Sequence, residues 1–129
     1  MSWRIAALAI VLALPGCGAT RRAPLLGVGP YVTRDGLVLD RVLTAAQEAG
    51  YLPREIDEAH GRFEVIARSD LRGRARFLVQ CTADGWIVVL PEGPAIEREP
   101  DHVTIPGHLL AEYQALVLAL ESGVAVRPR

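Results

Sequence analysis

Lysine is absent from this chain of 129 residues, and so is an excess of charge of either sign. All 14 basic residues are arginine, and they stand against 15 acidic residues, which leaves a formal net charge of −1. A protein that binds nucleic acid draws much of its affinity from basic side chains that contact phosphates. The balanced charge therefore predicts that nucleic acid is not a partner.

Cysteine and serine are also scarce. The chain has two cysteines, Cys17 and Cys81, and after residue 16 its serines are Ser69 and Ser122 alone. A hydrolytic serine needs an activating base and a strained strand-to-helix turn, and neither serine lies in such a sequence context. We therefore expect a non-catalytic protein without a cofactor.

One long apolar run occurs near the N-terminus. Residues 5–14 are apolar, Arg4 precedes them, and Pro15 and Gly16 follow, which is the layout of a secretory signal peptide. A helix of this length spans about 15 Å, roughly half of the hydrocarbon core of a bilayer. The run predicts a cleaved signal rather than a transmembrane anchor.

Residues 14–17, Leu-Pro-Gly-Cys, resemble the lipobox of bacterial lipoproteins. The resemblance implies that Cys17 receives a diacylglyceryl group, that cleavage occurs before it, and that acyl chains such as palmitate anchor the protein in a membrane of the cell envelope. Gly18 replaces the aspartate that tends to retain such proteins in the inner membrane, which implies the outer membrane with the domain facing the periplasm. The alternatives are ordinary secretion with cleavage after Ala19, and an apolar start that has no targeting role.

The sequence divides into four segments. We expect a signal peptide over residues 1–16, a lipidated cysteine and flexible tether over residues 17–33, a single α+β domain over residues 34–123, and a tail over residues 124–129. Two glycines and a proline within residues 26–30 favour the tether, because regular elements accommodate them poorly.

Apolar residues at helical spacing predict two helices. The first lies between Asp35, as its N-cap, and Gly50, as its C′ residue, and the second runs from about His108 to Glu121. Alternating residues between them predict strands over residues 54–59, 62–68, 74–82 and 86–90. A short edge strand is also expected near residues 95–98 or 102–105, and the Asp-Gly pair at residues 84–85 predicts a hairpin turn.

These elements predict an α+β fold of the order α-β-β-β-β-α. We expect an antiparallel four-stranded meander sheet, with the N-terminal and the C-terminal helix packed on the face that bears Phe63, Phe77, Val79 and Trp86. Alternation places Cys81 in the core on the same face; the alternatives are a nucleophile or an intermolecular disulfide between two copies. The order resembles, in topology only, small bacterial lipoproteins of unassigned function.

An arginine-rich stretch is the candidate partner surface, because arginine among aliphatic residues is typical of protein contact surfaces. Its members are Arg62, Arg68, Arg72, Arg74 and Arg76. The alternative is that these arginines form cross-strand ion pairs and stay solvated. The partners in that case would be Glu55, Asp57, Glu58 and Glu64.

Two functions are compatible with these features. The first is a protein-interaction or assembly module, membrane-anchored through its N-terminal lipid, that docks on another envelope protein. The second is a small-ligand or metal binding domain, with a site between the acidic loop and the second helix near Asp101, His102 and His108. No complete metal-ligand motif is present, since Glu97, Glu99 and Asp101 lack the glycine turn and final glutamate of a calcium-binding EF-hand loop.

Overall fold

A computed structural model of the chain describes residues 19–31, 37–69 and 75–125. In these ranges the chain forms helices and two antiparallel sheets, which confirms the predicted α+β class. The elements in chain order are β1 Thr20–Pro24, β2 Leu26–Val28, α1 Leu37–Glu48, β3 Pro53–Asp57, a 3-10 turn Glu58–His60, β4 Arg62–Ile66, β5 Arg76–Cys81, β6 Ile87–Glu92, β7 Glu97–Arg98, β8 His102–Pro106 and α2 Gly107–Ala125.

The larger sheet has five strands in the order β2-β6-β5-β4-β3, so the prediction of four strands is wrong. Strands β3 to β6 pair in chain order, and β2 adds a fifth strand beside β6, with Leu26 opposite Val89. This pair joins residues that lie far apart in the sequence. The alternation of apolar residues indicates which face of a strand is buried, but it does not indicate which distant strand pairs with it. For this reason the sequence did not predict β2.

The stretch predicted to be a flexible tether contains two strands. β1 pairs with β8 from Thr20 opposite Pro106 to Pro24 opposite His102. Together with β7, these strands form a second sheet of order β1-β8-β7. Strands therefore lie in both segments, residues 95–98 and 102–105, in which a single edge strand was predicted. Ala23, Leu26 and Val28 belong to the same hydrophobic core cluster as the buried residues of the other strands and the helices. The absence of regular structure predicted for residues 17–33 is therefore wrong for Thr20–Pro24 and Leu26–Val28.

Helix α1 ends as the sequence predicts. Gly50 has a φ of +96°, its N–H donates to the carbonyl of Gln47, and the N–H of Tyr51 donates to the carbonyl of Ala46. This is the Schellman arrangement, which favours glycine because the C′ residue has a positive φ. The predicted N-cap, Asp35, lies outside the described residues.

Helix α2 is longer than the predicted span of residues 108–121 and includes Val124 and Ala125, which were assigned to the tail. Gly123 lies inside it, where a Cβ atom would stand 2.5 Å from the Cβ of Ala45. The glycine therefore permits close contact between α2 and α1. Among the described residues, neither helix has the length and apolarity needed to cross a bilayer.

The core combines inward residues of β4, β5 and β6 with both helices. Phe63, Phe77 and Val79 are fully buried, as predicted. Trp86 is only half-buried, because β6 begins one residue later and Ile87 takes the inward position. Cys81, at the end of β5, is also half-buried rather than enclosed.

The side chain of Tyr113 on α2 contacts β2 and β6 of the larger sheet through hydrogen bonds. Its buried hydroxyl donates to the carbonyl of Val89 at 2.9 Å and accepts from the N–H of Leu26 at 2.6 Å. Its ring stacks on Phe77 with centroids 6.0 Å apart. A side chain of α2 thus satisfies backbone groups of two neighbouring strands at the point where the chain leaves the smaller sheet.

Candidate partner-binding surface

The outer face of the larger sheet lies opposite the core. Alternate residues of β4, β5 and β6 that point away from the core are half-buried or exposed, whereas their neighbours in sequence are buried or, at Cys81, half-buried. We call this the outer sheet face; it comprises Arg62, Glu64, Ile66, Arg76, Leu78, Gln80, Val88, Leu90 and Glu92. It includes two of the five arginines predicted to form a partner surface.

Aliphatic side chains occupy the middle of the outer sheet face. Leu78 on β5 lies opposite Glu64 on one side and Leu90 on the other. Val88 lies two residues before Leu90 on β6, on the same face, and opposite Gln80. Directly opposed side chains in an antiparallel sheet are close neighbours. The leucines and Val88 thus form an aliphatic patch across two strands.

Ion pairs lie beside this patch, towards β4 and at the end of β5 and β6 that contains Arg76 and Glu92. Arg76 Nε lies 3.7 Å from Glu64 and 3.8 Å from Glu92. Arg98 Nη1, from the smaller sheet, lies 3.7 Å from the second carboxylate oxygen of Glu92. Arg62 Nε lies 3.6 Å from Asp57. Pairs as exposed as these contribute up to about 1 kcal/mol each to stability.

Of the five arginines predicted to form a partner surface, the structure places two on the outer sheet face. Arg62 and Arg76 lie on the outer sheet face and have carboxylate neighbours, as the cross-strand alternative expected for Asp57 and Glu64. Arg72 and Arg74 lie outside the described residues. Arg68 is not part of this face, because its Nη1 donates to the carbonyl of Ala49 at 2.9 Å and its guanidinium lies over the ring of Tyr51, 5.6 Å from the centroid.

A hydrogen-bonded carboxylate that the sequence did not reveal, that of Glu112, lies on the helical side of the sheet. Glu112 on α2 accepts a hydrogen bond from the hydroxyl of Tyr51 at 2.9 Å and another from the backbone N–H of Arg68. Its other oxygen accepts from the N–H of Ser69 at 2.8 Å. One carboxylate thus joins α2 to the segment after α1 and to the end of β4.

The hydrogen bonds of Glu112 determine its charge state. Partial burial raises the pKa of its carboxyl, but hydrogen bonds from Ser69, from the backbone of Arg68 and from Tyr51 outweigh burial, so the pKa is lowered. Burial and the contact with Glu112 raise the pKa of Tyr51 well above its usual range. Glu112 is therefore ionised at neutral pH, and Tyr51 keeps the proton that it donates.

Glu99, Asp101 and His102 bring one potential metal-ligating atom each to within 4.8 Å of one another. His108, which was grouped with Asp101 and His102 from sequence, is not a member of this trio. Glu99 already pairs with Arg22 at 3.0 Å, and Asp101 Oδ1 lies 2.9 Å from His102 Nδ1. The hydrogen bond with His102 lowers the pKa of Asp101. Three exposed or half-buried groups, one paired with Arg22 and the other two with each other, form a weak site for a metal ion.

Cys81 behaves as a packing residue. Burial raises the pKa of its thiol to about 11, so the thiolate that would act as a nucleophile is a minor species at neutral pH. It packs against the hydrophobic core at the end of β5. The geometry supports the structural role expected from its position in the alternating strand.

Fold and surface together define a small α+β domain with a charge-balanced outer sheet face. Comparisons with protein families, curated proteins and solved structures found no match to this chain.

Proposed function

We propose that this chain is a membrane-anchored, non-catalytic lipoprotein of the bacterial cell envelope, whose domain docks on another envelope protein. Its anchoring is proposed from the resemblance of residues 14–17 to a lipobox, with Cys17 as the lipid-attachment residue. Gly18 favours sorting to the outer membrane, with the domain facing the periplasm. Docking is proposed from the outer sheet face.

The observation that carries the docking proposal is the aliphatic patch of Leu78, Val88 and Leu90 with ion pairs beside it. Protein interfaces commonly combine an apolar centre with a polar rim. The arginines of these pairs, Arg62, Arg76 and Arg98, are matched by the carboxylates of Asp57, Glu64 and Glu92. The charge balance favours a partner surface that is also apolar at its centre and mixed in charge at its edge.

The test is in-cell cross-linking of the tagged protein, followed by membrane extraction and identification of the linked proteins by mass spectrometry. Leu78→Lys places a charge in the aliphatic patch, opposite Glu64, where a salt bridge can form without disturbing the core. Leu118→Lys is the matched control, because Leu118 is a leucine on α2 with 38 % of its surface exposed. We expect Leu78→Lys to abolish a stoichiometric cross-link that Leu118→Lys preserves.

Two further outcomes separate docking from anchoring. A Cys17→Ala variant tests the anchor, and we expect it to leave the membrane fraction and to lose the cross-link with its partner. A cross-link that survives Leu78→Lys contradicts the proposal for the outer sheet face, whatever happens in the Cys17→Ala variant. A Cys17→Ala protein that remains in the membrane fraction after residues 1–16 have been removed contradicts the lipid anchor.

The second candidate function is binding of a metal ion or small ligand, favoured by the close approach of Glu99, Asp101 and His102. Calorimetric titration with Zn²⁺ and with Ca²⁺ tests it. Saturable binding in the parent protein that disappears in His102→Ala supports this function. Binding that persists in His102→Ala, or no heat of binding with either ion, argues against it.

A further inference from the structure

Ala19, two residues after the proposed lipid-attachment residue, is hydrogen-bonded to the rest of the described domain. The carbonyl of Ala19 accepts a hydrogen bond from the N–H of Gly107 at 2.8 Å. The next residue, Thr20, forms the first pair of the β1–β8 ladder with Pro106. Hydrogen bonds with the start of α2 and the end of β8 thus hold the chain from Ala19 onward.

Covalent geometry limits how far this anchor reaches. Only Gly18 separates Cys17 from Ala19, and two residue steps span at most about 7 Å. The interfacial layer on each side of a bilayer, which holds the lipid headgroups, is about 5–7 Å thick. With its acyl chains in the hydrocarbon core, the glyceryl group on Cys17 lies within this layer. Two residue steps then keep Ala19 within about 7 Å of the headgroup layer.

We infer that the domain rests directly on the lipid headgroups, through the end that contains Ala19, Thr20, Pro106, Gly107 and His108. This inference rests on the proposed lipidation of Cys17 and adds the orientation of the domain at the membrane. We call this end the anchor edge. A flexible tether of sixteen residues would instead permit a mean reach of roughly 20–25 Å.

The side chains near the anchor edge suit a polar headgroup layer. Thr20 and His108 are exposed, and the large exposed hydrophobic residues of the described part, Leu52, Ile56 and Leu118, belong to other segments. Arg21 lies opposite the buried Ile105, and its Nε is itself buried. The polar character of this edge therefore comes from Thr20 and His108 rather than from the Arg21 charge.

Fluorescence quenching measures this contact. In a His108→Cys, Cys81→Ala protein, the cysteine at residue 108 has the single free thiol, because the sulfur of the acylated Cys17 carries the lipid. A fluorophore is attached to this thiol. The acylated protein is extracted from bacterial membranes and reconstituted in phosphatidylethanolamine and phosphatidylglycerol vesicles that carry nitroxide-labelled headgroups. We expect strong quenching, because residue 108 lies at the anchor edge.

A longer spacer provides the decisive comparison. Inserting about twelve Gly and Ser residues between Gly18 and Ala19 adds a mean reach of roughly 19 Å, and we expect quenching to fall at least threefold. Gly18→Ser is the matched control, since it changes the spacer without lengthening it, and it should leave quenching unchanged.

The outcomes distinguish this inference from the proposed function. If mass spectrometry finds no acyl group on Cys17, the lipid anchor and the orientation fail together. If Cys17 is acylated but the fluorophore is weakly quenched, or if the insertion changes nothing, the anchor stands and direct contact of the anchor edge with the headgroups is wrong.

Discussion

Removing the charge of Glu112 should weaken the fold more than any comparable surface substitution. Glu112→Gln keeps the shape of the side chain but replaces one acceptor oxygen by an amide donor. Glu112 now accepts hydrogen bonds from Tyr51, Arg68 and Ser69. At least one of these donors loses its acceptor in the variant, and the remaining bonds are made to a neutral group.

The expected loss of stability follows from these bonds. Hydrogen bonds to charged groups contribute about 1.5–3 kcal/mol each, against about 1 kcal/mol for neutral pairs. Because Glu112 is half-buried and solvent screens part of the interaction, we expect a total loss of about 2 kcal/mol. For a domain of roughly 100 residues this corresponds to a decrease in Tm of about 10 °C.

Thermal unfolding followed by circular dichroism checks the prediction at neutral pH. Glu48→Gln is the matched control, because Glu48 is an exposed carboxylate on α1, and its change should stay within about 0.5 kcal/mol. The reasoning is refuted if Glu112→Gln unfolds within 2 °C of the parent, or if Glu48→Gln is equally destabilised.

Acid provides an independent check of the same carboxylate. The pKa of Glu112 is lowered in the folded protein, so its contribution is fully present above its unfolded value of about 4.3. That contribution is lost as the pH falls through the lower, folded-state pKa. The difference in stability between the parent and Glu112→Gln should therefore be constant near neutral pH and shrink in acid. A difference that grows as the pH falls contradicts the assignment.

Three further predictions concern the core. Gly123→Ala should destabilise the protein by about 1–3 kcal/mol in chemical denaturation, because the new methyl group would overlap that of Ala45. In an Ala45→Gly background the overlap is removed, so the same change should stabilise the protein through the higher helix propensity of alanine. Tyr113→Phe leaves the buried N–H of Leu26 without its acceptor, so we expect a loss of about 1–3 kcal/mol and faster hydrogen exchange at that amide. Finally, with Cys17 replaced by serine, Cys81 should react slowly with a disulfide reagent at neutral pH, and its rate should rise until about pH 11.

Local chemistry in the sequence predicted several features of the fold. Gly50 ends α1 with a positive φ, and Gly85 occupies the predicted turn between β5 and β6 with a φ of +94°. Phe63 and Phe77 were placed on the buried face by alternation alone. Each of these features depends on a residue and its near neighbours, which is the range over which sequence patterns are informative.

The features that were missed depend on distant residues. β1 was taken for a tether because its residues are polar and contain a proline, yet five pairs with β8 stabilise it. Glu112 carried no signal, since its partners Tyr51 and Ser69 lie 61 and 43 residues away. Arg68 was grouped with the other arginines, but β4 ends at Ile66 and Arg68 turns towards Ala49. Periodicity does not indicate which remote groups meet.

The distribution of these long-range contacts allows function to be tested separately from stability. Adjacent residues of α2 hold opposite parts of the larger sheet: Glu112 binds the segment at the end of β4, and Tyr113 binds β2 and β6. These contacts lie on the helical side of the sheet. The outer sheet face, in contrast, has exposed ion pairs that contribute little to folding. Leu78→Lys should therefore change docking while leaving the unfolding transition almost unaltered, whereas Glu112→Gln should lower stability without removing a side chain of the docking surface.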